Sequence, residues 1–266
     1  MTDNERNPLT ADPWRQLRSY TGARIALGRA GSSLPTQEVL DFGMAHAMAR
    51  DAVHTPLDIE AFCAELHESG FATLSVKSAA PDRASYLLRP DLGRQLSEES
   101  AALLRQSASK EAEVLFIVGD GLSSMAITRH ARPVLEALRV QMADKRMPKI
   151  VVATQARVAL SDHIGEILHA RIAVMLIGER PGLSSPDSLG IYITYGPRAG
   201  RQDSERNCIS NVRPEGLNYT AAARKTLWLV NEALRLKLSG IELKDQSDMV
   251  EIGTVATPML EGKDTP

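Results

Sequence analysis

The chain has 266 residues, 43 % of them hydrophobic and 24 % charged, with a formal net charge of −2. That length suits one large domain, or one domain with a smaller appendage, and the near-neutral balance excludes a global field favouring nucleic acid or an anionic membrane. No stretch approaches the roughly 20 apolar residues needed to cross a bilayer, and two cysteines, Cys63 and Cys208, suit a reducing cytosol better than a disulfide scaffold.

The polar start, residues 1–13, reads as a disordered tail without a signal-peptide core or basic amphipathic helix. Residues 14–110 read as mainly helical. "PTQEVLDFGMAHAMARDA" opens with Pro35 and first-turn Glu38, as helix starts prefer. "PLDIEAFCAELHESG" puts Ile59, Phe62, Cys63 and Leu66 on one face and stops at Gly70. "FATLSVKS" is a short strand, and "SEESAALLRQSAS" a helix with a serine cap.

After residue 110 the texture becomes strand–helix alternation. "EVLFIVGDGLSSMAITRHARPVLEALRVQ" is an apolar run, a glycine turn and a helix, and its basic continuation keeps helical spacing, as a solvated helix face does. "KIVVATQARVALSDHIGEILHA" repeats the scheme, with Ser161 or Asp162 as the expected helix cap. "RIAVMLIGERPGL" supplies a third strand and "LGIYITYGP" a fourth; an irregular stretch, "RAGRQDSERNCISNVRPEGLN", leads to the closing helix "YTAAARKTLWLVNEALRLKLSG". The expected class is α/β: a mostly parallel, Rossmann-like sheet with flanking helices over residues 111–245, preceded by a smaller, mainly helical N-terminal region and followed by a tail at 246–266. No crossover helix joins the third and fourth strands, which argues against a parallel fourth strand. Whether the 196–218 stretch returns Cys208 to the third strand's end stays open.

Ligands of open α/β sheets sit beyond the carboxyl ends of the strands. Those ends, "GDGLSS", "TQARVALSD" and "GERPGLSS", would line a cleft with Asp120, Ser123, Arg157, Glu179 and Arg180. "GDGLSS" is compatible with a phosphate at a helix N-terminus, but it is neither a dinucleotide fingerprint nor a P-loop. The six histidines have no zinc spacing with the cysteines or with one another, and there is no G-x-S-x-G elbow. From the residues alone the reading stops at an α/β ligand-binding domain without visible acid–base machinery.

One long motif carries it further. "LIGERPGLSSPDSLGIYITYGPR", followed by "RNCISNVRPEGL", closely resembles the light chain of ethanolamine ammonia-lyase. "ARIALGRAGSSLPT", "ARDAVHTPLD", "DRASYLLRPDLGR", "DGLSSMA" and "SGIELKD" resemble it too, in order, from about residue 15 to 245. The resemblance implies a subunit that works with a heavy chain and adenosylcobalamin, converting ethanolamine to acetaldehyde and ammonia by radical chemistry that the cofactor supplies. The substrate site and its acid–base residues are then expected on the heavy chain, with no catalytic residue and no metal ligand here. By motif, the cofactor contacts are expected at Val158, Glu179 and Cys208, with Arg157, Arg180 and Asn207 as neighbours. The absence of D-x-H-x-x-G implies the base-on mode. Ala156, Ser161 and His163 depart from the family pattern of a glycine before "RV" and "GDEIG" after it. The expected location is the cytoplasm, either free or within a bacterial microcompartment. The competing readings are a stand-alone nucleotide- or phosphate-binding protein and a purely structural partner subunit.

Overall fold

In the computed structural model, the described residues are 9–107, 113–142 and 147–248. The boundary expected near residue 110 lies outside them, as do residues 1–8 and 249–266 of the two expected tails. Within residues 9–13, β1 (Leu9–Thr10) pairs antiparallel with β2 (Arg29–Ala30).

The N-terminal region is small and mainly helical. Pro35 sets up α1 (Thr36–His54), and Glu38 in its first turn pairs with Arg18 at 2.7 Å. Asp58 caps α2 (Ile59–Glu68), its carboxylate accepting from the Ala61 N–H at 3.0 Å. Gly70 then takes φ +82°, a backbone open to glycine at little cost. The region continues through β3 (Thr73–Lys77), α3 (Arg83–Leu88) and α4 (Glu98–Ser107), whose first turn is capped by Ser97 Oγ.

The remaining strands are β4 (Val114–Gly119), β5 (Ile150–Thr154), β6 (Ile172–Gly178), β7 (Leu189–Tyr195) and β8 (Arg206–Val212). One sheet of six runs in the order β3-β5-β4-β6-β7-β8. The first four strands in that order are parallel, and β7 and β8 add antiparallel pairings. The sheet thus draws β3 from before residue 110. The fourth strand of the sequence reading is antiparallel, because a loop without a crossover helix joins it to β6.

The stretch read as irregular contains β8, which is a correction. Its sequence, "RNCISNV", hides a strand because only Arg206, Ile209 and Val212 are buried, so the alternation is broken. A register irregularity in its pairing with β7 has the same effect on the pattern.

Alternate residues of each strand serve opposite faces. Phe116, Val118, Val152, Val174 and Leu176 meet α6 (Arg132–Gln141) and α8 (Tyr219–Leu236) on one side. Leu115, Ile117, Val151, Ala153, Met175 and Ile177 meet α4 and α7 (Leu160–Ile167) on the other. The helices after β4 and β5 therefore lie on opposite faces, which opens a crevice at the carboxyl edge of the sheet. A short α5 (Ser124–Ala126) leads into α6 through a π-helical turn, Ile127–Ala131.

Ser161 and Asp162 do not cap α7. Ala159 occupies the cap position, and both residues are buried in the first turn. Asp162 is diverted to Arg206, which it engages through both oxygens at 2.6 and 2.7 Å. Arg206 also donates to Thr194 Oγ1 and the Arg201 carbonyl, so the fully buried pair is saturated with partners. It ties the start of β8 to the start of α7.

Breaking that pair strands a charge in the interior. Arg206→Met is expected to lower the unfolding free energy by about 3–5 kcal/mol, with Arg206→Met/Asp162→Leu losing clearly less. Urea unfolding of the two variants separates a stranded charge from simple loss of contact.

Candidate functional site

The site begins at Asp120, immediately after β4. Its side chain is buried and turned inward: Oδ1 accepts from the Ala156 N–H and Oδ2 from the Gln155 N–H, both at 2.9 Å. Arg83 Nη1 lies 3.4 Å from Oδ2 and donates to the Gly121 carbonyl at 2.8 Å. Gln155 is held at φ +54°, which turns the chain sharply out of β5. Ala156 lies outside that left-handed region, so its methyl costs the turn no backbone strain. Tyr86 donates its hydroxyl to the Ala156 carbonyl at 2.9 Å, and the Arg157 N–H donates to the Gly93 carbonyl at 2.8 Å.

The loops after β4 and β6 touch through glycine. A Cβ on Gly121 would lie 2.2 Å from the Gly178 carbonyl oxygen, and one on Gly178 would lie 2.0 Å from that of Ser123. The Leu122 N–H is spent on the Gly178 carbonyl, and the Ala126 N–H on Ser123 Oγ. Two donors that a phosphate at "GDGLSS" would use are thus occupied by the protein itself.

These loops frame a cavity of about 370 Å³ at the carboxyl edge of the sheet. Val158, Glu179, Arg157 and Arg180 line it together, with Tyr86 and Tyr192. Asp120 and Ser123, expected at the cleft surface, are buried behind it with their polar atoms used internally.

Glu179 is fixed with its two oxygens in different circumstances. Its N–H donates to the Ser188 carbonyl at 2.9 Å, extending the β6–β7 ladder by one step. Oε2 accepts from the Ser188 hydroxyl and, at 3.3 Å, from the Asn211 N–H. Glu179 lines the cavity, and its Oε1 takes no hydrogen bond from the described residues; it lies beside Gly190, where an added Cβ would be 3.0 Å away. Asn211 holds φ +58°, which turns its N–H toward the carboxylate.

Cys208 stands mid-strand on β8, directly opposite Tyr192. Since β8 runs antiparallel to β7, it carries the chain back toward the carboxyl edge, and Val212 ends opposite Leu189. The residue as a whole is exposed, but its sulfur contacts Tyr192. Desolvation there and the nearby Glu179 carboxylate raise the thiol above its ordinary value, so it is a neutral group at neutral pH.

Asn207 is not a cavity residue. Its side chain accepts from the Gly240 N–H at 2.8 Å and donates to the carbonyls of Gly240 and Leu243. His163 likewise points elsewhere, its Nδ1 meeting the Leu96 N–H at 3.3 Å. Tyr86, Tyr192, Ser188 and Asn211 escaped the sequence reading. All four fall within quoted motifs, but their place at the site shows only once the strands are paired.

The loop between Glu179 and Ser188 is pinned on several sides. Ser123 Oγ donates to the Pro186 carbonyl at 2.8 Å, Arg129 pairs with Asp187 at 2.7 Å, and Arg24 donates to the Leu183 carbonyl at 3.3 Å. His130, buried in the π-helical turn, meets Tyr219 at 2.9 Å and has Nε2 3.4 Å from Asp187.

The fold and cavity define a class: an α/β subunit that offers an acceptor, two tyrosines and two guanidinium groups at a sheet edge, without a paired acid and base. The family profile described as "Ethanolamine ammonia-lyase light chain (EutC)" matches residues 11–244. Relatives named ethanolamine ammonia-lyase small subunit include that of Azotobacter vinelandii, 52 % identical over 94 % of both chains. That of Ralstonia nicotianae is 54 % identical over 91 % of each, and that of Pseudomonas fluorescens strain Pf0-1 is 54 % identical over 90 % of this chain and 89 % of its own. The chain belongs to the ethanolamine ammonia-lyase light-chain family and serves as the light subunit of that lyase.

The pinned loop should respond to acid through His130. Burial depresses its pKa from 6.5, the facing Arg129 adds to the depression, and Asp187 and Glu215 oppose it, with Tyr219 on the other ring nitrogen. A depressed histidine keeps its stabilising contribution above the unfolded value and loses it as pH falls below about 6.5, where the unfolded chain binds the extra proton. Chemical denaturation between pH 7.5 and 5.5 should therefore show a steeper loss of stability in the native chain than in His130→Gln.

Proposed function

We propose that this chain forms one wall of an adenosylcobalamin site, and that the ethanolamine ammonia-lyase large subunit supplies the facing wall and the substrate site. The observation that carries this reading is Glu179: a cavity-lining carboxylate locked by Ser188 and Asn211 through one oxygen, the other taking no hydrogen bond from the described residues. Such a group accepts hydrogen bonds from neutral amides, and the corrin ring is fringed with amide side chains. Val158 and Tyr192 add apolar contact for the ring's rim. Cys208 adds a small, uncharged thiol one strand further along.

A cavity of about 370 Å³ is far smaller than a cobalamin, which suits a wall completed by another chain. When bound, adenosylcobalamin supplies the radical chemistry that turns ethanolamine into acetaldehyde and ammonia. This chain's residues bind and orient, and none serves as a catalytic residue or metal ligand. The base-on mode rests on the sequence, which has no D-x-H-x-x-G motif.

Large-subunit contacts are assigned to residues 14–110, and cobalamin binding to 111–245. Support for the first assignment comes from α1, where Ala52 alone is buried while Val39, Leu40, Phe42, Met44 and Met48 are exposed. Trp14 and Tyr20 extend that apolar surface. No helix of the described residues is long and apolar enough to cross a membrane. We place the assembly in the cytoplasm, free or in a microcompartment, with no nucleic-acid or membrane partner.

The test is co-expression with the large subunit and titration with cobalamin. The pair should bind it, and Glu179→Ala should weaken binding about 10- to 100-fold, the range of one charge-assisted hydrogen bond. An unaltered dissociation constant removes Glu179 from the site, and a native pair that binds no cobalamin removes the whole reading.

A further inference from the structure

We infer that Arg157 and Arg180 form an anion subsite in this cavity, and that it takes a phosphodiester. The inference rests on the cobalamin reading above and extends it to a residue pair and a chemical group.

Both side chains line the cavity, and neither has a carboxylate partner among the described residues. By contrast, the buried guanidinium groups of Arg83 and Arg206 each pair with an Asp within 4.0 Å.

Arg157 is also preorganised. Its guanidinium lies over the Tyr86 ring at 4.4 Å from the centroid, and Nη2 donates to the Tyr86 carbonyl at 3.3 Å. Its Nε is buried with no partner, and Nη1 makes no hydrogen bond within the described residues. Tyr86 is stacked on its other neighbour, Arg83, at 4.8 Å, so the platform under Arg157 is itself held. Arg180 follows Glu179 directly, is exposed, and makes no polar contact within the described residues.

Two unpaired guanidinium groups against one carboxylate leave the cavity cationic. The carboxylate is oriented by Ser188 and Asn211 rather than by either arginine. The planar fork of arginine matches phosphate oxygens in pairs. A cobalamin has one anionic group to offer it, the phosphodiester of its nucleotide tail, since its other side chains are neutral amides. The same cavity then reads two features of one ligand: amides at Glu179 and phosphate at the arginines. Free inorganic phosphate shares that chemistry and is the other source to separate.

The experiment uses the co-expressed two-subunit complex. Cyanocobalamin is titrated beside dicyanocobinamide, which keeps the ring and most amides but lacks the nucleotide tail and its phosphate. Arg180→Gln is the principal variant because Arg180 is exposed and supports no fold contact; Arg157→Gln and Arg180→Lys accompany it.

Arg180→Gln should weaken cyanocobalamin binding about tenfold or more, as loss of a charged hydrogen bond does, and leave cobinamide affinity within about twofold. Arg180→Lys should recover part of the loss. Equal losses for both corrinoids, or no loss for either, overturn the phosphodiester assignment while leaving the cobalamin reading intact. If the native complex binds neither corrinoid, the cobalamin reading fails, and a direct titration with inorganic phosphate decides. Saturable phosphate binding abolished by Arg180→Gln keeps the subsite for free phosphate, and no such binding overturns it.

Discussion

The buried carboxylate of Asp120 holds the carboxyl edge of the sheet together. It leaves β4 pointing inward and accepts two backbone N–H groups from the turn after β5, with the Arg83 guanidinium at its side. Burial favours its protonated form, whereas those N–H groups and Arg83 favour the charged one. The acceptor geometry explains why the chain spends a carboxylate there. Two adjacent amides at a left-handed corner have no strand to pair with, and an unpaired buried N–H costs about 1–3 kcal/mol. With Asp120 in place the corner is fixed, and Arg157 and Val158 emerge from it into the cavity. Arg83 carries the same constraint outward, donating to the Val53 carbonyl near the end of α1 at 2.8 Å.

A second anchor ties α7 to the start of β8. The Asp162–Arg206 pair joins the first turn of α7 to the first residue of β8. Val158 lies just before α7 and Cys208 just after Arg206, so one buried ion pair couples the positions of both. β8 is an edge strand with few buried side chains, and hydrophobic packing alone would fix its register weakly. The ion pair, together with the Asn207 bonds to Gly240 and Leu243, supplies the specification that apolar contact does not.

These anchors also explain what the sequence disclosed and what it hid. The three parallel strands β4, β5 and β6 were legible because each is a near-continuous apolar run buried on both faces. The turn to an antiparallel β7 was legible as a missing crossover. β8 was not, since its pattern is interrupted and its stability comes from a side-chain pair 44 residues apart in sequence. Asp162 looked like a helix cap for a good local reason, but a buried arginine competes better for a carboxylate than a backbone amide at the surface. Asp120 and Ser123 looked like cleft residues because strand ends usually expose their polar groups; here those groups satisfy buried amides and a loop carbonyl. Glu179 was legible by motif, while Ser188 and Asn211, which aim it, depend on strand pairing.

The two charged features of the cavity differ in how they are held. Glu179 is fixed by neutral donors, so its orientation costs no partner charge and its free oxygen stays an acceptor. Arg157 is fixed by stacking and a carbonyl, which hold a guanidinium in place without neutralising it. Had either arginine been paired to Glu179, the cavity would be satisfied within this chain, and an incoming ligand would have to break an ion pair before making contacts of its own. Holding each group by uncharged partners leaves both signs of charge available at fixed positions. Preorganisation of that kind lowers the cost of binding.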